Sequence, residues 1–317
     1  MSKKLISIFI PCFNEEENVR IAYQALIKIT DTLPKYHFRY FFIDNGSLDN
    51  TRREIKKIVN EDTRVKGVFL SRNFGPESSA QAGFDCAEGD AVIDFPCDLQ
   101  EPADLIPAFI KKWEAGYDSV MGVYTKLEDP WPMVFLRTSF YRIMKLISNI
   151  EIPINSTGYG LYSRKVVDAM ASLPEKNRFN RGIRSWVGFS TAYVKYERKK
   201  RERGKSSYSL LGYFQHAERS VFGFSYLPLD FLIYFGFLFV LLSFIFIVGY
   251  VSFFFLFGNP IKGAVTILVS IVFFGGVNLL GLSIIGKYIQ VIVEETKQRP
   301  TYIIDSIIGK KSKAYER

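Results

Sequence analysis

Two stretches constrain this 317-residue chain more than any other feature: Phe231–Ile261 and Gly263–Gly286 contain no Asp, Glu, Lys or Arg. Each exceeds the roughly 20 apolar residues needed to cross a bilayer. Soluble folds rarely hold uncharged runs of this length, so a membrane hairpin behind a soluble N-terminal region is expected. Arg198, Lys199, Lys200, Arg201, Arg203, Lys205 and Arg219 precede the first run, and Lys287, Lys297, Arg299, Lys310, Lys311 and Lys313 follow the second. The connection between them offers only Lys262. By the positive-inside rule both ends of the chain are expected in the cytoplasm.

The basic collar accounts for much of the formal net charge of +9. It suits anionic headgroups or a lipid phosphate, and the membrane rather than a nucleic acid is the expected partner. Residues 1–204 then form a soluble domain, 205–228 an amphipathic juxtamembrane segment, 229–290 two spans (about 231–257 and 263–286), and 291–317 a cytoplasmic tail. Three cysteines without metal-ligand spacing suit a reducing compartment and exclude a disulfide framework. With only His37 and His216 available, a histidine-based metal site or triad is not expected. Lys3 and Lys4 precede a short apolar run, but Pro11 and the acids Glu15–Glu17 end it too early for a signal peptide.

Within the soluble region, short apolar runs rich in β-branched residues alternate with helical patterns. Strands are expected at Leu5–Ile10, Tyr40–Ile43, Val65–Leu70 and Ala91–Phe95, with helices at about Glu16–Thr32 and Glu77–Ala87 and one after Thr51. Pro76 suits a first helical position. A helix near Ala103–Ala115, a strand near Ser119–Val123, a helix at Val134–Ser148 and a strand at Tyr193–Arg198 continue the pattern. The glycines of Ile154–Arg164 fit either close approach of backbone to a ligand or a bend before a helix at Lys165–Ala171.

Strands that alternate with helices require crossovers, so an α/β, mostly parallel, doubly wound sheet is expected. Such sheets bind ligands outside the carboxyl ends of their strands. Asn14 and Glu15 follow the first strand, Asp44 and Asn45 the second, and Asp98 and Gln100 the fourth. These acids and amides are expected to converge on one ligand, with Asp44 suited to a base or ribose and Asp98 to a divalent cation bridging to phosphates. No GxGxxG follows the first strand and no GxxxxGK[ST] occurs, so neither common nucleotide fingerprint is present.

Seven short motifs in order carry a family resemblance. They are Pro11-x-Phe13-Asn14-Glu15-Glu16, Asp44–Asp49, Ser71–Gly75, Asp98–Pro102, Arg178–Phe189, Arg201–Tyr208 and Arg299–Tyr302. With the two apolar runs, the chain resembles a family 2 glycosyltransferase of the polyprenyl-phosphate group, similar to bacterial undecaprenyl-phosphate glucosyltransferases. The resemblance implies a GT-A (Rossmann-like) fold that uses Mg²⁺ or Mn²⁺ and transfers a sugar, with inversion, from a nucleotide sugar to polyprenyl phosphate. That donor would usually carry uridine diphosphate, with a guanosine-linked mannose as the alternative. A membrane-anchored homologue that binds a nucleotide but is catalytically impaired is the reading from another class.

The resemblance further implies that Pro11, Phe13, Asn14, Glu15, Asp44, Asn45, Ser71, Asn73 and Gln100 contact the donor and that Asp98 holds the metal. Arg178, Arg181, Arg198 and Arg201 are expected to handle the acceptor phosphate, with Lys205 and Ser206 beside Arg201, because guanidinium forks suit phosphate oxygens. Each of these arginines also fits a headgroup or solvated role. The setting implied is the bacterial cytoplasmic membrane, with oligomers and a flippase as expected partners. Three positions depart from the family. Pro96 replaces the first acid of D-x-D, Gly158 stands where the family's catalytic-base Asp aligns, and Pro76 replaces a common Lys. Asp98 alone, or with Glu101, is expected to serve the cation, whereas extended chain would set Asp94 about 13 Å from Asp98. A lipid phosphate is already anionic near neutral pH, which lowers the demand for a base.

Overall fold

A computed structural model describes residues 3–125, 155–176, 178–198, 227–257 and 263–309. The expected helix at Val134–Ser148 lies outside the described residues, as do Arg201, Lys205 and Ser206 and the juxtamembrane segment up to residue 226. The described elements are β1 (Lys4–Cys12), α1 (Val19–Thr30), β2 (Tyr36–Asp44), α2 (Thr51–Glu61), β3 (Val65–Leu70), α3 (Pro76–Cys86), β4 (Ala91–Asp94), α4 (Ile106–Glu114) and β5 (Ser119–Tyr124). They continue as β6 (Ser156–Ser163), α5 (Arg164–Ser172), α6 (Asn180–Trp186), β7 (Thr191–Tyr196), α7 (Leu227–Phe257), α8 (Ala264–Thr296) and β8 (Ile304–Ile308).

One eight-stranded sheet in the order β7-β5-β6-β4-β1-β2-β3-β8 organises the domain. β1 sits at its centre, parallel to β2 and β4, and Ile6, Ile8, Phe9 and Ile10 are fully buried. Complete burial of such side chains contributes about 1.5–3 kcal/mol each. Because β1 is covered on both faces it reads as an unbroken apolar run. β2 begins at Tyr36, earlier than the apolar run suggests, because Tyr36, Phe38 and Tyr40 bury alternate positions while His37 faces outward. α1 begins only at Val19, since the Glu15 carbonyl accepts from the Asn18 and Val19 amides and the Asn18 side chain donates to Glu15, closing a turn first. Pro76 opens α3, as its fixed φ favours.

Residues 154–164, where the glycines fit either a ligand contact or a bend, hold a strand, Ser156–Ser163. β6 runs antiparallel between β4 and β5, with Asp94 opposite Gly160 and Met121 opposite the same residue. Aromatic packing holds it there: Tyr159 meets Phe95 and Phe109 at ring-centroid distances of 5.6 and 4.9 Å on one face, and Tyr162 meets Phe84 at 5.4 Å on the other. Running backwards, β6 delivers its first residues, Ser156–Gly158, to the same edge as the last residues of β4.

The tail also returns to the sheet. β8 pairs antiparallel with β3 and covers that edge. Tyr302 donates to Asp85 Oδ2 at 2.7 Å, the Ser71 amide donates to the Ile303 carbonyl at 3.0 Å, and Arg52 pairs with Asp305. α7 and α8 each contain a window long and apolar enough to cross a membrane, Leu229–Tyr250 and Phe273–Thr296, with none of either window buried. A core helix of a soluble domain would be covered. The two helices touch through Phe239, whose ring lies 5.8 Å from that of Phe274. At its C-terminal end α8 meets the sheet domain, where Glu295 accepts the Lys176 amide with both oxygens at 2.9 Å.

Candidate active site

The loops after β1, β2 and β3 are tied into one surface at the carboxyl edge of the sheet. Asn14, held at φ +56°, accepts from the Leu48 amide at 2.9 Å, and its own amide donates to Ser47 Oγ at 2.9 Å. The Glu15 amide donates to Thr51 Oγ1 at 2.8 Å. Ser47 in turn donates its amide to Asp44 Oδ1 at 3.1 Å. Asp44 is buried, and burial raises its carboxyl above the usual range against the opposing Ser47 bonds. Gly46 permits this loop: at φ +71°, a Cβ there would lie 2.5 Å from the Arg72 carbonyl carbon.

Not every donor candidate is available to a ligand. The Asn45 amide group donates to Asn73 Oδ1 and the Gly75 carbonyl, at 3.1 and 3.2 Å, and accepts from the Phe74 amide at 3.0 Å. Asn73 accepts again from Gly75. Asn45 and Asn73 therefore shape the edge by fixing the loop after β3. Pro11, Phe13 and Ser71 retain exposed surface on the same edge, and Glu15 is buried.

Beyond β4 the chain turns sharply, with Leu99 in the left-handed region at φ +60°. A non-glycine residue there stores about 1–3 kcal/mol, a cost that clusters at functional sites. The turn lets the Gln100 amide donate to Asp98 Oδ1 at 3.3 Å. Arg198 donates to Gln100 Oε1 at 2.7 Å and pairs with Glu101 Oε1 at 3.3 Å, and Tyr196 donates to the same Glu101 oxygen at 3.3 Å. Glu101 is almost fully buried and its Oε2 has no hydrogen-bond partner among the described residues. Burial, then the Asp98 charge, push its carboxyl well above the usual range against the pull of Arg198. Gln100 and Arg198, assigned separately to donor and acceptor by sequence, thus form one cluster with Glu101.

Arg178 departs from its expected role. It is buried, and its guanidinium donates to Gln81 Oε1 at 2.6 Å and to the carbonyls of Met170, Leu173 and Glu175. A fork engaged in this way joins α3 to the α5–α6 connection and positions α6, which carries Arg181 and Arg184. Arg181 is half-buried on α6.

At this edge Arg184 escapes the sequence reading, and Asp94, set aside there as a metal ligand, takes a different place. Arg184 is buried, donates to the Tyr162 hydroxyl and, at 3.3 Å, to the Thr157 carbonyl, and its Nε has no partner among the described residues. Its helical spacing from Arg181 was the available signal, because residues three apart share a face. Asp94 is buried at the end of β4, and its carboxyl is pushed up to about 7 by burial, with Arg184 and Arg181 opposing and Glu77 assisting. Its oxygen Oδ2 lies 2.5 Å from where a Cβ at Gly158 would stand. Separation from Asp98 along extended chain is what set Asp94 aside in the sequence, and the antiparallel course of β6 is what brings it against Gly158.

The described residues contain no group of three or more His, Cys, Asp and Glu able to hold a metal by themselves. All three cysteines are free, and Cys12 and Cys97 meet beneath the site, where burial and that contact raise the Cys12 thiol.

A mixed sheet with helices on both faces, and with acids and amides gathered at its carboxyl edge, has the architecture of a GT-A glycosyltransferase. The chain belongs to Glycosyl transferase family 2, whose family model matches residues 7–170. It is 37% identical over 304 residues to the putative glycosyltransferase CsbB of Bacillus subtilis, covering 96% of this chain and 92% of that one. It is also 37% identical over 302 residues to the bactoprenol glucosyl transferase of Shigella phage SfX, covering 95% and 99% of the two chains. Among solved structures, glucosyl-3-phosphoglycerate synthase of Mycobacterium tuberculosis, in complex with Mn²⁺, uridine diphosphate and phosphoglyceric acid, matches at a TM-score of 0.49 and 15% identity. That match covers 69% of this chain and 76% of the other.

Proposed function

We propose that this glycosyltransferase moves a hexose from a uridine diphosphate sugar to a polyprenyl phosphate, inverting the anomeric centre, at the cytoplasmic face of a bacterial membrane. The near full-length likeness to a protein named bactoprenol glucosyl transferase supports the acceptor class and makes glucose the first sugar to test. The single observation that carries the reading is that one chain combines a carboxyl edge bearing Asp44 and the Asp98–Gln100–Glu101 turn with two helices long and apolar enough to cross a membrane. Such a chain suits a soluble donor and a lipid acceptor.

Asp44 and the Pro11–Glu15 loop would hold the nucleotide, its buried carboxylate accepting from base or ribose. A divalent cation on the diphosphate needs only one or two protein carboxylates, the phosphates and water supplying the rest. Asp98, with Glu101 Oε2, which has no partner among the described residues, beside it, fits that requirement. When bound, the cation would neutralise charge on the leaving diphosphate. Arg181, Arg198 and Arg201 are the candidates for the acceptor phosphate, because forked guanidinium donors suit its oxygens. A phosphate oxygen then attacks the anomeric carbon as the nucleoside diphosphate departs, and most of the rate comes from alignment and charge stabilisation.

The test is transfer of labelled sugar from a panel of nucleotide sugars to undecaprenyl phosphate in detergent, with and without EDTA. Transfer from at least one uridine donor, abolished by EDTA and restored by Mg²⁺ or Mn²⁺, is expected. Absence of transfer from every donor beside an active control enzyme refutes the reading.

A further inference from the structure

Gly158 and Asp94 lie on neighbouring antiparallel strands, β6 and β4, and share one small volume. A Cβ at residue 158 would stand 2.5 Å from Asp94 Oδ2, closer than real side chains approach. A glycine at 158 is therefore what lets the Asp94 carboxylate occupy this place. The position is at the edge where both ligands are expected, since β6 begins where β4 ends.

Asp94 has no structural employment that explains a buried acid. No hydrogen bond to its carboxylate occurs among the described residues, although it is only 7% exposed. Buried carboxylates without partners are costly and are seldom retained by packing alone. Its surroundings are charged on several sides. Arg184 and Arg181 face it from α6, Glu77 from α3, and the Tyr162 hydroxyl, which accepts from Arg184 and donates to the Gly158 carbonyl at 2.8 Å, from β6. The Arg184–Tyr162–Gly158 chain fixes the backbone against which the carboxylate rests. Two arginines beside the carboxylate also let an anionic acceptor and a carboxylate be tolerated together at this corner of the edge.

We propose that Asp94 is the acceptor-side base of the transfer reaction, a carboxylate supplied by β4 into the volume that a side chain at 158 would otherwise fill. The inference rests on the proposed transfer to a lipid phosphate. The balance of the step is simple. The acceptor phosphate, bound with one proton, gives that proton to Asp94 while its oxygen bonds to the anomeric carbon. The bond from that carbon to the donor's diphosphate breaks, and the nucleoside diphosphate leaves with the electron pair. Asp94 then returns the proton to water after product release. Burial raises its proton affinity towards that of a phosphate monoester, the match that general-base catalysis favours.

The experiment compares full-length wild type, Asp94→Asn, Asp94→Ala and the double variant Asp94→Ala/Gly158→Asp, which moves the carboxylate to the neighbouring strand. Turnover with undecaprenyl phosphate and affinity for uridine diphosphate are measured on each. Expected for Asp94→Asn is a fall of about 10²–10⁴ in kcat, with nucleotide affinity within about twofold of wild type. The double variant is expected to recover at least about tenfold over Asp94→Ala, which a purely structural role for Asp94 would not produce. Asp94→Asn turning over within about threefold of wild type overturns the assignment and leaves the transfer reading intact. So does a double variant that binds nucleotide and shows no recovery. A wild type that is inactive towards every donor overturns both.

Discussion

Replacing Asp94 by Asn is expected to stabilise the protein while slowing it. Burial lifts the carboxyl from its ordinary 3.8 to about 7. At about 1.4 kcal/mol per tenfold change in proton affinity, the ionised form costs on the order of 4 kcal/mol in the folded state. An Asn of the same shape escapes that cost but buries an amide, which costs about 1–3 kcal/mol without partners. The net gain above neutral pH is then about 1–3 kcal/mol. The sign follows from proton linkage: a carboxyl whose folded pKa is raised holds its proton longer in the native state, so wild type loses stability as pH climbs from about 4 to about 7. The variant lacks that loss. Apparent unfolding midpoints in detergent should therefore differ most at about pH 8, by roughly 3–8 °C, with the gap narrowing as pH falls towards 5. A variant no more stable than wild type at the higher pH, or a gap that ignores pH, refutes the reasoning.

Replacing Gly46 by Ala sets a Cβ 2.5 Å from the Arg72 backbone at φ +71°, so a loss of about 2–4 kcal/mol and weaker nucleotide binding are expected in melts and titrations. Arg184→Met removes a positive charge beside Asp94, so that carboxyl should hold its proton to higher pH. The acidic limb of the kcat/KM profile should move up with it, and an unmoved limb counts against the contact. Deleting residues 299–317 exposes the β3 edge and should lower the unfolding midpoint or cause aggregation. Asp305→Asn, which alters an exposed ion pair with Arg52 and an exposed contact with the Ser306 hydroxyl, should leave the midpoint nearly unchanged.

Much of the domain was legible in the chain because its parallel strands are buried on both faces and read as apolar runs. β1, β3 and β4 appeared within a few residues of their observed bounds. The acids and amides that follow β1, β2 and β4 were likewise predictable as an edge, since strand polarity sends each to the same side. β6 was not. Two glycines in a polar setting fit a bend or a ligand contact alike, and pairing with β4 and β5, with aromatic contacts from Phe95, Phe109 and Phe84, holds that segment extended. β8 was hidden for a similar reason, since a short edge strand far along the chain is defined by its partner.

Local sequence thus determined the parallel core of the sheet, the two long apolar helices and the gathering of polar groups at one edge, because each depends on periodicity or on residues adjacent in the chain. Tertiary structure alone decided which groups are available. It engaged Arg178 with carbonyls and closed Asn45 and Asn73 on each other, and it joined Arg198 to Gln100 and Glu101. It also set Asp94 against Gly158, residues 64 positions apart whose meeting depends on the reversed direction of β6. A chain read in order shows a carboxylate lost at 158, and the folded sheet shows one supplied from the strand beside it.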